Sequence, residues 1–569
     1  MNRGKQPGRL KDDSGGLHFI ISDPSSKGNS KSQSSRVVRS HVGKWTWENV
    51  RKGTSRKERR PAVNAPAENA ADGDASIWPD WSDTSDSAFA SGIILDSTES
   101  SSSSGSMDRW LDDFMAGSSD GSSPSLLLSP LSSIDLDILD PFQSRVSSPL
   151  PSGLVSNSNK YSLSVLWPGL MPRSRTGATH AGVQGWFTSS TIHPTLHSAM
   201  LYGSYSHRRT RWVMKRQGQF NYEDMREMAV CEANVISRMN AILQDPVQAA
   251  SDAVILTVLC LATNLYNGPS TDEETSSSPF YAPLRSLQWL DIYGRLSPHP
   301  VHQAGLLQLI ALRGGLEKIE LPGLAAVISF SSILGASKAL SRPPLPFISL
   351  RTGRQATLPH TVDRSSPSAL PGDRDPLLDI HIPTKMHDVF RGMRAYVSLV
   401  ETYQDGVDGG VDNLTLCDTR NLVQWHVMAL APASELGPLL TQFCPVYEAC
   451  RLALVIFGVG VTFPLPPGVA LFSKLASAMR VELQGLAKDS ESQSVSSMQA
   501  CCWWLVLGGI VAGAEEEMRW FVHELKRIVA ALGISTWEQL KRVLRSFLWL
   551  DSACDMAGRQ LWVEVERTE

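Results

Sequence analysis

DPVQAASDAVILTVLCLA, residues 245–262, decides the fold. Asp245-Pro246 is a helix-opening pair, because an Asp side chain can cap the first free N–H groups and proline is pre-set for the first helical position. Val247, Val254, Ile255, Val258, Leu259, Leu261 and Ala262 then recur with helical spacing and line one apolar side. The stretch predicts a single buried helix starting at Asp245-Pro246.

Other segments repeat that signature. Val301 to Leu312 predicts a helix stopped by Gly314 and Gly315, and a third begins near Pro322 and runs through Val327, Ile328 and Ile333. Ser535 and Glu538 have capping-box spacing ahead of Leu540, Val543, Leu544, Phe547 and Leu548. No comparable series of alternating strands appears, so the expected fold is all-α: a large helical domain preceded by a disordered N-terminal region. No internal repeat of solenoid length is present.

Two apolar runs, Leu452 to Phe463 and Trp503 to Ala514, fall short of the ~20 residues that span a bilayer and predict buried helices of a soluble core. Two gaps interrupt the helical pattern. Residues 267–280 form a short polar loop, and residues 341–378 carry repeated prolines that exclude a regular helix, making this stretch either mobile or a boundary between halves of the domain.

The N-terminal quarter is different in kind. Residues 1–60 hold 15 Lys/Arg against 5 Asp/Glu, and residues 61–140 hold 15 Asp/Glu against Arg109 alone. The net charge of −4 averages these opposed blocks. Three segments are therefore expected: a basic disordered arm (1–60), an acidic Ser-rich disordered segment (61–138) and an all-α body (139–569) with a Pro-rich loop at 341–378.

Arg51, Lys52, Arg56, Lys57, Arg59 and Arg60 cluster tightly, with Arg36, Arg39, His41 and Lys44 just upstream. Such a cluster serves as a nuclear import signal, as a nonspecific phosphate contact, or as a solvated tail. In the acidic tract, Trp110, Leu111, Phe114 and Met115 sit among Asp108, Asp112 and Asp113. Acidic residues keep such apolar side chains solvated and available to a partner's groove, the pattern of an activation segment; a plain linker is the other reading.

Motifs of chemistry are sparse. His193 and His197 are four apart, but Pro194 stands where a zincin needs Glu, so Pro194 starting a helix with His193 near its cap is the better reading. Gly458-x-Gly460 is followed by Phe463 where a dinucleotide fingerprint needs a small residue, and no nucleophile elbow is present. The eight cysteines all lie at or beyond Cys231 with no zinc-site spacing. No catalytic residue, cofactor or metal is expected. The opening sixteen residues have positive charge without an apolar run, so no targeting peptide is expected and Asn413-Leu414-Thr415 is set aside as a glycosylation acceptor.

Several segments in order resemble the fungal-specific transcription factor domain. They are Arg36 to Val42 (RVVRSHV), Leu139-Asp-Pro-Phe142, Trp167-Pro168, Trp186-Phe187, His193 to His207, Leu243 to Ala262, Val301 to Leu316, Gly508 to Leu525 and Phe547 to Trp562. The opening motif is similar to that of a tachykinin-like branch that commonly lacks a zinc cluster, in keeping with a chain that has no cysteine before Cys231.

The resemblance implies a nuclear regulator, not an enzyme, controlling a metabolic or secondary-metabolite pathway. Its helical domain would mediate self-association, regulation or effector response. The implied partners are other transcriptional regulators or co-activators, with homo- or heterodimerisation open, DNA contact weak and no membrane. A scaffold or co-regulator without DNA contact and, behind it, an all-α enzyme are the alternatives.

Overall fold

The computed structural model describes residues 152–215, 217–264, 278–358, 376–380, 382–406, 410–436, 444–466, 469–488 and 494–568. All belong to a single compact unit. Of the described residues 73% are helical and none forms a β-strand, so the body is all-α.

Two apolar clusters organise it. The first is built by α1 (Ser152–Tyr161), continued through a π turn (Ser162–Leu166) into α2 (Trp167–Leu170), with α3 (Ala181–Ile192), α4 (Pro194–Lys215), α5 (Tyr222–Ile242), α6 (Pro246–Ala249) and α7 (Asp252–Thr263). A 3-10 turn (Leu287–Trp289) leads into α8 (Leu290–Tyr293), followed by α9 (Pro300–Arg313) and α10 (Leu324–Ala339).

Pro194 begins α4 directly after His193, as its missing N–H dictates. The core of α4, from Thr195 to His207, is buried along its whole length and packs on α5 and α7. Asn221 and Asp224 form a capping box that starts α5. Gly314, at φ +94°, ends α9 in the left-handed conformation that the Gly-Gly pair announces.

The deciding stretch contains two helices rather than one. Asp245 caps only the single turn α6, accepting from Val247 N at 2.9 Å; Ser251 Oγ then accepts from Val254 N and starts α7 afresh. Two competing caps six residues apart divide the run, and Val247, expected inside, is 83% exposed on the outer turn.

The second cluster comprises α11 (Thr384–Gln404), α12 (Asn413–Met428), α13 (Cys444–Phe457) with a π turn (Gly458–Thr462), α14 (Val469–Lys488), α15 (Val495–Val511), α16 (Glu515–Ala531), α17 (Trp537–Ser546) and α18 (Asp551–Arg567). Helix α15 is its axis. Trp503 is fully buried, stacks on Phe547 at 5.5 Å and donates to Leu548 O at 3.1 Å. Gly508 and Gly509 let Phe521 of α16 and Leu561 of α18 approach the α15 backbone, where a Cβ would collide with either ring or methyl.

The joined run Pro445–Thr462 is long and apolar enough to cross a membrane, yet 83% of it is buried inside the body, the environment of a core helix. Gly458 and Gly460 in its π turn serve packing, since a Cβ on Gly460 would lie 2.5 Å from the Phe280 ring.

The capping box of α17 is set one residue later than Ser535 and Glu538 predict. Thr536 Oγ1 accepts from Gln539 N at 3.3 Å and Gln539 Oε1 accepts from Thr536 N at 3.2 Å. That register buries Trp537, Leu540 and Leu544 on one face, and the helix stops before Phe547, which leads a buried connector, Phe547–Leu550.

Helix α10 joins the clusters. Its first half (Leu324 to Ile328) belongs to the first, and Phe330, Ile333 and Leu334 to the second. Residues 341–358 of the proline-rich gap are laid across the same seam. Ser329 Oγ bonds Ile348 N and Pro346 O, and Asp418 accepts from Ser349 Oγ, Leu350 N and Arg351 N at 2.6–3.0 Å.

Candidate functional site

The seam encloses a cavity of about 110 Å³. Its walls come from α2, α3, α4, α7, α8, α9, α10 and the segment after α10, with Trp167, Trp186, Met200, Leu259, Leu306 and Phe330 giving it an aliphatic and aromatic lining. Pro298 and Pro344, which are exposed, mark where it meets solvent.

The local fold explains its few polar groups. Asn264 caps the end of α7, its Nδ2 reaching back to Cys260 O at 2.7 Å while its own carbonyl accepts from Ser206 Oγ at 2.9 Å. Thr263 Oγ1 bonds Leu259 O at 2.8 Å, and Lys338 Nζ bonds Leu296 O at 2.7 Å. Burial pushes the Cys260 thiol up to about 12 and raises the Tyr293 phenol as well, so both wall groups stay neutral at physiological pH.

Beside the cavity lies a buried guanidinium. Arg420 on α12 is 1% exposed and donates to Leu287 O and Gln288 Oε1 at 2.8 Å and to Asn421 Oδ1 at 3.1 Å. Its charge faces the rings of Phe330 and Phe463 at 5.6 and 5.1 Å. The guanidinium grips a strained link. Gln288 and Trp289 both adopt left-handed backbone, at φ 60° and 55°, a conformation that costs roughly 1–2 kcal/mol for each L-residue.

Gln288 Nε2 and Trp289 Nε1 in turn donate to Leu170 O and Leu166 O at 3.0 Å, and Leu166 and Leu170 line the cavity. A continuous chain of contacts thus runs from α12 in the second cluster to the cavity wall in the first.

His207 packs edge-on to Trp289 at 4.8 Å and shares a hydrogen bond with Tyr161 at 2.8 Å. Burial, helped by Arg211 and Lys215, pushes its imidazole down to about 3. It is a neutral packing element at physiological pH. His193 lies between α3 and α4 while His197 is buried on α4, its Nε2 3.5 Å from Asn159 Nδ2. Among the described residues, no group of three or more His, Cys, Asp or Glu side chains is assembled for a metal ion.

The residues singled out for import or nucleic-acid contact, Arg36, Arg39, Lys44, Arg51, Lys52, Arg56, Lys57, Arg59 and Arg60, and those of the acidic tract, Trp110, Leu111, Phe114 and Met115, lie outside the described residues. Sequence reasoning passed over Arg420, Gln288 and Asn264. One signal for Arg420 was available: Arg420, Asn421 and Gln424 are interleaved with Leu416, Leu422, Val423 and Val427 in α12, where a buried charge needs a purpose.

No family model, curated protein or solved structure matches the chain.

Proposed function

We propose that this chain is a transcription-factor-like nuclear regulator that acts mainly through protein contacts, its helical body serving as a regulatory binding module. The observation that carries the reading of the body is the chemistry of the seam cavity. Its walls are mainly apolar, Cys260 and Tyr293 among them are kept neutral, and Lys338 is engaged by a carbonyl. An acid–base catalyst would need convergent groups tuned toward neutral pH, whereas a binding module needs a shaped apolar surface.

The charge inversion of the first 140 residues and the ordered resemblance to the fungal transcription factor domain support the nuclear assignment. The pathway controlled is metabolic or secondary-metabolite. The lack of cysteine before Cys231 favours a regulator that meets DNA weakly, by phosphate contacts alone, and a scaffold or co-regulator without DNA contact is the alternative.

The protein-contact part is tested by fusing residues 61–140 to an unrelated DNA-binding domain. The fusion should activate a reporter, and changing Trp110 and Phe114 to Ala should abolish most of that activity at equal protein level. A silent fusion, or full activity in the double variant, rejects it.

A further inference from the structure

We propose that the seam cavity is an effector site for a compact, uncharged, mainly apolar small molecule that carries a hydrogen-bond donor. The inference rests on reading the body as a binding module and names the ligand class of that site.

Volume comes first. At about 110 Å³ the space far exceeds the ~10–15 Å³ that holds one water, and its lining offers water few partners. A hollow of this size, walled mainly by the first cluster and reached from solvent beside Pro298 and Pro344, leaves apolar surface that a small-molecule occupant would cover.

Two glycines keep it open. Gly203 lies within α4 and Gly335 within α10, both at the cavity wall and both with ordinary helical backbone. A Cβ on Gly203 would meet nothing nearer than Asn264 Nδ2 at 3.7 Å, and one on Gly335 nothing nearer than Gln303 Nε2 at 3.9 Å. Neither position is glycine because a neighbour forbids a methyl. Gly169, Gly460 and Gly508 are the contrasting case, where a Cβ would strike a ring. Glycine inside a helix is the poorer choice for stability, and at these two positions it leaves the cavity its volume.

The ligand's chemistry follows from the walls. A cation would be stripped of water among tryptophan, leucine and phenylalanine side chains with no counter-charge on the wall, and an anion would meet only Lys338, which already donates to Leu296 O at 2.7 Å, so an uncharged guest loses least on entry. Asn264 and Ser332, each more than nine-tenths buried, line the cavity, and Asn264 Oδ1 and Ser332 Oγ have no hydrogen-bond partner. The Asn264 amide cannot be turned round, because its oxygen would then face Cys260 O at 2.7 Å. An acceptor is therefore the group left over. A ligand hydroxyl or N–H that displaces the side chains shielding it from the empty cavity offsets the cost of its burial.

The test is isothermal titration calorimetry of the intact protein with phenol, which is neutral, carries an O–H and has the single-ring size that a cavity of this order holds. In parallel, benzenesulfonate supplies the same ring with a fixed negative charge. One saturable equivalent of the neutral probe should bind, and the sulfonate about tenfold or more weaker. Gly335→Met should weaken the neutral probe about tenfold or more, while Val247→Met on the exposed turn changes nothing.

Should Gly335→Met misfold, the Gly203→Ala and Gly335→Ala variants give the same readout in smaller steps. Absent binding, equal binding of both probes, or binding indifferent to the cavity glycines overturns the proposal. The reporter assay reads the regulator function separately, so failure of one is distinguishable from failure of the other.

Discussion

Replacing Gly203 and Gly335 together by alanine should make the free protein more stable. Each position is inside a helix, where glycine gives up about 0.5–1 kcal/mol relative to alanine because it has more backbone freedom to lose on folding. Each new Cβ finds space, its nearest atoms being 3.7 and 3.9 Å away, so no steric term opposes the gain.

The two changes sum to about 1–2 kcal/mol if the sites act independently. At ~2.1 cal/mol/K per residue, a body of roughly 400 residues has an unfolding entropy near 0.8 kcal/mol/K, so Tm should rise by about 1–2 °C. Scanning calorimetry of the wild type and the double variant reads this directly. Gly169→Ala is the control and should lower Tm, because its Cβ would sit within the Trp289 ring. A lower Tm in the double variant would show that the cavity walls are already in contact, and would refute the argument that these glycines preserve volume.

The buried histidines set an acid limit. His207 is held down to about 3 from an ordinary 6.5, so below pH 6.5 the unfolded chain takes up a proton that the folded one refuses. Stability should be full above that pH and fall between pH 6.5 and 3, by up to about 1.4 kcal/mol per pH unit for each such group. His302 and His426, both pushed down to about 4 by burial, add to the same slope. A pH series of melting curves should show a shallower slope for His207→Gln, and an unchanged slope would exclude His207 as a source.

Arg420→Met keeps most of the side-chain volume while removing the donors to Leu287 O, Gln288 Oε1 and Asn421 Oδ1. At about 1.5–3 kcal/mol for a hydrogen bond to a charged group, less the guanidinium's own desolvation cost, a loss of about 2–4 kcal/mol is expected. Hydrogen exchange should accelerate first at the Gln288–Trp289 link. Undiminished protection there would mean that the strain is held by other contacts.

The helical pattern of the sequence carried the architecture because burial along α9 and α17 repeats at the spacing of a helix, because α7 and α10 are apolar runs longer than a strand, and because Pro194 and Gly314 punctuate the chain locally. Boundaries were less legible where two good caps compete. Asp245 and Ser251 are both able to start a helix, as are Ser535 and Thr536, and the choice falls to whichever register buries Ile255 and Val258, or Trp537 and Leu540.

The site was the least legible part. Its walls are gathered from Leu166 to Leu345, far apart in the chain, and its strained link uses Gln and Trp where local sequence would call for glycine or asparagine. What makes Gly203 and Gly335 informative is the empty space beside them, which appears only once α4 and α10 are assembled.

The central claim, a nuclear regulator at promoters, is tested most directly by chromatin immunoprecipitation of the intact tagged chain. The comparison is a variant with Arg51, Lys52, Arg56, Lys57, Arg59 and Arg60 changed to Ala. The account predicts enrichment of the intact protein at a discrete set of promoters and loss of that enrichment in the variant, because the basic cluster is exchanged for neutral side chains and import fails. No enrichment of the intact protein at any promoter would contradict it.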